Sequence, residues 1–366
     1  MSFFTTYSKK LENLIAVVIF LITFAVYFST MAPTVSFWDT GEFIATSHIL
    51  GVPHPPGSPL FLLVGKFFSL IPISSDIAFR VNIFSPIISA LTISLLFLIC
   101  IQFIDRVKPE DNNKFFKMWS SLTASLTFAF THSHWFNAVE TEVYAFSGFM
   151  TALVIYLIML WSEKIYNSNH VIYLISISYI IGLATGLHLL NLLTIPFIGL
   201  IIYFSIGKLS WKNLIITITL SLVSFFGIQS FIIKGLPQIT VSIGLIGLML
   251  LIISLISYTI YSIKSSNAFL SIFLSSILLI IIGYSTYFSI FIRSGQDPNI
   301  DENNPETITE AISYLNRDQY GQMTILPRKF NNLPSKISVV GSPEIESKEF
   351  SFDQEIDYMF HDIPSQ

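Results

Sequence analysis

The stretch WDTGEFIATSHILGVPHPPGSP, residues 38–59, directly follows the first long apolar run of the chain. It brings together Asp39, Glu42, His48 and His54 in a sequence where only 11% of residues are charged. Beside a membrane, ionisable side chains gathered in this way read as a functional site. Asp39-Thr-Gly-Glu42 also has the spacing of a capping box, with Asp39 as N-cap and Glu42 as its N3 partner. That reading starts a short helix at Thr40 and ends it near Leu50. The two readings are compatible, because a helix N-terminus at the edge of an aqueous cleft is a rigid mount for a carboxylate.

Outward from this stretch the chain is strongly apolar. Of 366 residues, 52% are AVILMFWYC, 34 are Phe, and mean hydropathy is +0.68. Such a chain is an all-α polytopic membrane protein, its length divided into spans of about 20 residues. A net charge of −4 and a pI near 6.0 give no footprint for nucleic acid. The single cysteine, Cys100, excludes an internal disulfide and a cysteine metal site. The first apolar run, Leu14 to Phe28, lacks a small-residue cleavage site and reads as a span.

Hydropathy places about nine spans, near 12–30, 80–104, 118–136, 145–162, 171–188, 191–206, 213–233, 239–262 and 268–292. Lys9 and Lys10 precede the first. With that end inside, the inner loops collect Arg106, Lys108, Lys114, Lys117, Lys164, Lys208, Lys212 and Lys264. The short outer loops hold Lys66, Arg80, Lys234 and Arg293. The positive-inside rule therefore predicts an inner N-terminus and an outer tail. On this topology the ionisable groups of interest, Asp39, Glu42, His54, Arg80, Glu142, His188 and Arg293, all fall on the outer face.

The first outer loop, 31–79, reads as structured. His54-Pro-Pro-Gly57 is a stiff turn. Leu60 to Ile71, LFLLVGKFFSLI, is too short to span and reads as an interfacial helix with Lys66 reaching the headgroups. In the second outer loop Glu140 and Glu142 are two apart, so a helix would point them in different directions. Glu140 reads as a solvated carboxylate. Glu142 is open between a functional role and simple charge at a helix N-terminus. His132-Ser-His134 lacks the spacings of the usual metal motifs. His188, in GLHLLN, stands at an outer helix end. After Arg293 the composition turns polar, and 294–366 reads as an outer segment separate from the membrane domain 1–293. In it Asn304 reads as an N-cap, Pro305 as the first helical residue, and Ile308, Ile312 and Leu315 as an apolar stripe. Ending without another span, the chain looks like an incomplete second half.

WDTGEF and LGVPHPPGSPLF in the first loop, WFNAVETEVYAF in the second, GLHLLN, and NPETITEAISYLNRDQYG after the last span together resemble the bacterial protein O-mannosyltransferase-like membrane family. That family lies within the C-type glycosyltransferase superfamily, and the resemblance covers roughly residues 10–325. It implies a C-type glycosyltransferase fold in a bacterial inner membrane, with the active site facing the periplasm. It also implies a polyprenyl-phosphate sugar donor, no cofactor, and a protein or glycan acceptor. An acceptor hydroxyl attacks the anomeric carbon and polyprenyl phosphate leaves. On this view Asp39 is the candidate base and Glu42 the second acid, either shaping the acceptor site or tuning Asp39 by like-charge repulsion, and which of the two takes the proton stays open. His54, Glu142 and His188 are candidates either to support the acids from behind or to contact the acceptor. Arg80 and Arg293 are candidates for the lipid phosphate, since guanidinium geometry suits it. No metal is demanded when arginine neutralises a lipid monophosphate. Two rival classes are a transporter or lipid flippase, which would place polar groups near the bilayer midplane, and a non-catalytic assembly subunit.

Overall fold

The structure is a computed structural model that describes residues 2–107, 113–206 and 209–321. Helices α1 (Ser2–Thr30), α2 (Thr40–Ile49), α3 (Pro59–Leu70), α4 (Ile77–Asn82) and α5 (Phe84–Val107) come first. They are followed by α6 (Lys114–Ala129), α7 (His132–Ala138), α8 (Val143–Glu163), α9 (Val171–Thr185) and α10 (Thr194–Ile206). The last five are α11 (Trp211–Gly227), α12 (Gly235–Lys264), α13 (Ala268–Tyr284), α14 (Phe288–Ser294) and α15 (Ile308–Asn316). The residues up to Gln319 form one compact unit; a second begins at Tyr320 and is described only through Gly321.

Among the described residues, six helical stretches are long and apolar enough to cross a membrane: Lys9–Thr30, Ile77–Val107, Val143–Glu163, Leu189–Ile206, Trp211–Lys264 and Ala268–Ser294. The chain is thus an all-α polytopic membrane protein. Trp211–Lys264, at 54 residues, has the length of two crossings of about 20. It is interrupted by a π-helical turn at Ile228–Ile233 and by non-helical Gly244. The expected span 118–136 is divided between α6, of 16 residues, and α7, of 7. The expected span 171–188 is α9, of 15 residues.

In lipid, apolar burial gains little because the surroundings are as apolar as the interior; close packing and hydrogen bonds do the holding. The helices show this. α5 packs against α1, α6 and α8, and α9 against α8 and α13. At the α9–α13 crossing lie Gly182 and Gly283, where a methyl group on Gly182 would come within 3 Å of the Ile280 backbone and one on Gly283 within 3 Å of the Gly182–Leu183 backbone. One end of the bundle is fastened by Lys117, whose ammonium lies 3.0 Å from both Glu12 and Asp105.

The opposite end carries the first loop. α2 and α3 form where they are read from sequence, joined by the turn through Pro53–Gly57. The end of α2 differs from expectation in how it is held. Its last carbonyls accept from two cations: Lys66 Nζ donates to His48 O at 2.5 Å, and Arg293 Nε to Leu50 O at 2.7 Å. Arg293 also donates to Ile49 O at 3.2 Å. Cations at a helix C-terminus complement its dipole and its unpaired carbonyls. Lys66 therefore turns into the loop, not out toward headgroups.

The polar segment after α14 closes over this turn. Val52 and Asp301 form a short parallel bridge, with Val52 N donating to Ile300 O and Glu302 N to Val52 O. α15 begins later than expected. Its N-cap is Thr307, in a reciprocal capping box with Glu310, while Asn304 sits in a left-handed turn. The box satisfies two amide donors at once, which Asn304-Pro305 does not offer. The buried face of α15 is Ala311, Tyr314 and Leu315, whereas Ile308 is exposed. Tyr314 donates to Pro53 O at 2.5 Å and rests on Gly57, whose φ of 89° and lack of a Cβ admit it.

Tyr314→Phe leaves the Pro53 carbonyl unpaired in a buried setting, a loss of about 1–3 kcal/mol. Thermal unfolding of the purified chain in detergent is expected to shift down accordingly. An unchanged midpoint would remove Tyr314 from the elements that hold the turn.

Candidate functional site

Asp39, Glu42 and His54 meet at the head of α2. Asp39 is the N-cap by position, but its carboxylate makes no capping bond and its side chain is 58% exposed. Glu42 does not reach back to Asp39 as a capping box requires. It turns across to the proline-rich turn and accepts twice from one residue: His54 N donates to Oε1 at 2.6 Å, and His54 Nδ1 lies 2.7 Å from Oε2. His54 Nε2, on the other side of the ring, is 3.9 Å from Asp39 Oδ2. The predicted capping box is thus replaced by a long-range bond, because a histidine delivering two donors outcompetes one amide.

The imidazole is fixed from behind as well. Its ring lies 5.7 Å from that of Phe43, which begins a run of ring contacts through Phe61 and Phe84 to Phe146. The hydrogen bond with Glu42 raises the His54 pKa above its ordinary value; burial opposes, and the charges of Glu42, Asp39 and Glu302 add to the rise. Burial pushes the Glu42 carboxyl up, but the bonds and charge from His54 outweigh it and hold the group below the usual range. Glu42 and His54 are therefore a pre-formed hydrogen-bonded pair, with Asp39 facing solvent beside them.

The second loop folds down against this group. Glu140 and Glu142 are only 4% and 6% exposed. Ser36 donates to Glu140 Oε2 at 2.8 Å, and its hydroxyl lies 3.3 Å from that of Thr40, the first residue of α2. Glu140, read from sequence as solvated, is a buried strut beneath the helix start. Thr141 donates to Asn82, whose amide in turn donates to Ala32 O and Thr34 O at 2.9 Å each. Glu142 caps α8, accepting from Val143 N at 3.3 Å. Burial pushes its carboxyl up to about 7, the Val143 amide opposes, and the charges of Asp39 and Glu140 add to the rise. Glu142 thus belongs to the same electrostatic site as Asp39 and His54.

The remaining expected residues lie elsewhere. His188 Nδ1 accepts from Leu190 N at 3.2 Å, and the ring rests against Tyr144. The neighbouring Leu187 carbonyl accepts from Ser58 at 3.0 Å, so this segment supports the far side of the turn. Arg80, like Arg293, is directed at main-chain oxygens: Ser74 O at 2.6 Å and Ser69 O at 3.0 Å. Both guanidiniums hold loop backbone. His134 is half-buried among aromatic rings, and desolvation pushes its pKa down to about 4. Sequence reasoning missed Glu302, which the Val52 bridge brings over the site from the segment after α14. Its carboxyl is raised by burial and by Glu42. Nothing local to ENNPET marks it.

Asp39, Glu42 and His54 each turn one potential ligand atom to within 4.8 Å of the others. Nδ1 and Oε2 are already bonded to each other, which leaves Nε2 facing the Asp39 carboxylate. Chemically it offers an imidazole nitrogen and a carboxylate oxygen facing one solvent-reachable gap.

Comparison with known proteins bears on this region. The family described as Protein O-mannosyl-transferase TMEM260 N-terminal domain matches residues 39–211, beginning at Asp39 itself. The chain is 27% identical over 238 residues to Protein O-mannosyl-transferase tmem260 of Dictyostelium discoideum, covering 62% of this chain and 28% of that protein. It is 29% identical over 149 residues to Protein O-mannosyl-transferase TMEM260 of Mus musculus, covering 40% and 20%. The match therefore spans less than a third of the length of these relatives. No solved structure matches. The chain is related by sequence to these membrane proteins across both loops that build the site.

Glu142→Gln tests the burial of that carboxyl. Its folded pKa of about 7 stands above the ordinary 4.5, so ionisation disfavours the folded state. The contribution of this carboxyl to stability is fully present below pH 4.5 and is lost as pH rises through 7. The melting midpoint of the Gln variant should gain on wild type between pH 5 and 8 and level off above. A difference independent of pH would mean that Glu142 is not buried as described.

Proposed function

We propose that this chain is a membrane glycosyltransferase. It moves a sugar, mannose or a similar hexose, from a polyprenyl-phosphate donor to an acceptor hydroxyl, a protein Ser or Thr. The observation that carries this reading is the Asp39–His54–Glu42 group, mounted at the start of the segment related to protein O-mannosyl-transferases. Sugar transfer to a hydroxyl needs a proton acceptor in reach of the nucleophile and a rigid frame to aim it. The exposed Asp39 carboxylate is placed to receive the hydroxyl, while Glu42 and His54 supply a fixed neighbour. The buried strut of Glu140 and Ser36 and the cations at the end of α2 supply the frame.

The side of the membrane follows from charge. With the lysine-rich loops inside, the site opens to the outer face, the periplasm if the host is a bacterium. Asp39, Glu42, Glu142 and His188 all stand at the ends of helices that meet there, and the polar groups of the site are not distributed along a pathway through the bilayer. Support for an enzyme over a transporter lies in that one-sidedness.

Asp39→Asn is expected to reduce transfer by at least about a hundredfold, with membrane insertion and melting midpoint unchanged. The assay is sugar transfer from a polyprenyl-phosphate donor to Ser/Thr peptides by the purified chain in proteoliposomes. Wild-type rates from the variant would remove Asp39 from the site. Absence of transfer by wild type with every polyprenyl-phosphate sugar would end the reading.

A further inference from the structure

The Glu42 carboxylate and His54 have the geometry of an oriented base. One carboxylate accepts from the His54 main-chain N–H at 2.6 Å and faces Nδ1 of the same residue at 2.7 Å. Two bonds to two parts of one residue fix both the place of the ring and its rotation. The Nδ1 proton then points at Glu42, which leaves the lone pair on Nε2. Nε2 looks out of the loop, with the His54 side chain 24% exposed, toward Asp39 Oδ2 across 3.9 Å. That separation is too long for a direct hydrogen bond. It suits a single oxygen about 2.8 Å from each atom.

The surroundings favour the charge that a base acquires. The groups facing His54 are Glu42 and the Phe43 ring on α2, Asp39 at its head, Glu302 from the segment after α14, and Glu142 ahead of α8. All four ionisable neighbours are carboxyl groups, so they stabilise an imidazolium as it forms. A nucleophile aligned by a base that is itself held by a third group is the recurring arrangement of hydroxyl activation.

We propose that Nε2 of His54 is the general base, with Glu42 as its positioning residue and Asp39 as the second acceptor that aims the hydroxyl. The proposal rests on the glycosyltransferase reading above. In the step, the hydroxyl proton passes to Nε2 as the hydroxyl oxygen forms its bond to the anomeric carbon. The bond from that carbon to the phosphate oxygen breaks, and its electron pair leaves with polyprenyl phosphate. The imidazolium then returns the proton to water. No other reactant is consumed.

The test is the pH dependence of kcat/KM for transfer from a polyprenyl-phosphate mannose to a Ser/Thr peptide, using the purified full chain. Wild type is expected to gain activity along an acid limb above pH 6.5, the ordinary histidine value. Glu42→Gln should move that limb down and lower the rate by about ten- to a hundredfold. His54→Ala should lose at least about a hundredfold, and added imidazole should restore part of the rate, which a purely structural role for the ring would not allow. An acid limb below about pH 5, in the range of a carboxylate, would make Asp39 the base and overturn the proposal. So would a His54→Ala variant that keeps its rate or that imidazole fails to rescue. If wild type transfers no sugar, the parent reading fails and takes this one with it; transfer with a carboxylate limb fails this one alone.

Discussion

The bond between Glu42 and His54 is the constraint on which the site end of this protein depends. It ties a helix to a turn twelve residues further on and sets the distance from the imidazole to Asp39. A bond of this kind is only as useful as the stiffness of what it joins. α2 is therefore held at both ends: by the buried Glu140–Ser36 pair below its first residue and by Lys66 and Arg293 at its last carbonyls. The turn is held in the same way, with Tyr314 on one side and the Leu187 carbonyl on the other. Charge-assisted bonds are roughly twice as strong as neutral ones, and three of these fastenings are of that type.

This distribution of strong polar bonds follows from the solvent. Along the bilayer, α11 and α12 expose row after row of apolar side chains, such as Leu220, Val223, Ile246 and Leu250, that would gain nothing from being covered. Cohesion in that region comes from close approach, as at Gly182 and Gly283. At the helix ends, where water reaches and a loop must keep one geometry, ionic and hydrogen-bonded contacts take over. The same protein thus uses packing to hold its spans and electrostatics to hold its chemistry.

The sequence reads well where the signal is local. α2 and α3 lie within a residue or two of their expected bounds, because apolar patterning, the stiff HPPG turn and the following proline act over short distances. The gathering of Asp39, Glu42, His54 and Glu142 at one end of the bundle was also legible, since the order of the spans brings both loops to that end. What escaped was the choice of partner. Asp39 and Glu42 have the spacing of a capping box, and only the returning turn reveals that His54 takes the glutamate instead. Arg80 and Arg293 could not be assigned from sequence, since their partners are main-chain oxygens that every residue carries. The Thr307–Glu310 capping box was present in the letters but stood behind the stronger-looking Asn304-Pro305. Glu302 was invisible, being brought in by a bridge between residues about 250 apart.

That bridge has a consequence for the order in which the protein is made. The turn bearing His54 is synthesised early and enters the membrane with the first loop, yet Asp301, Glu302 and Tyr314 emerge only after all the spans described here have left the ribosome. Until then the loop lacks the contacts that close it. Closure of the first loop is thus coupled to completion of the membrane domain, and a nascent chain still threading its later helices lacks the bridge and the Tyr314 contact that hold the turn.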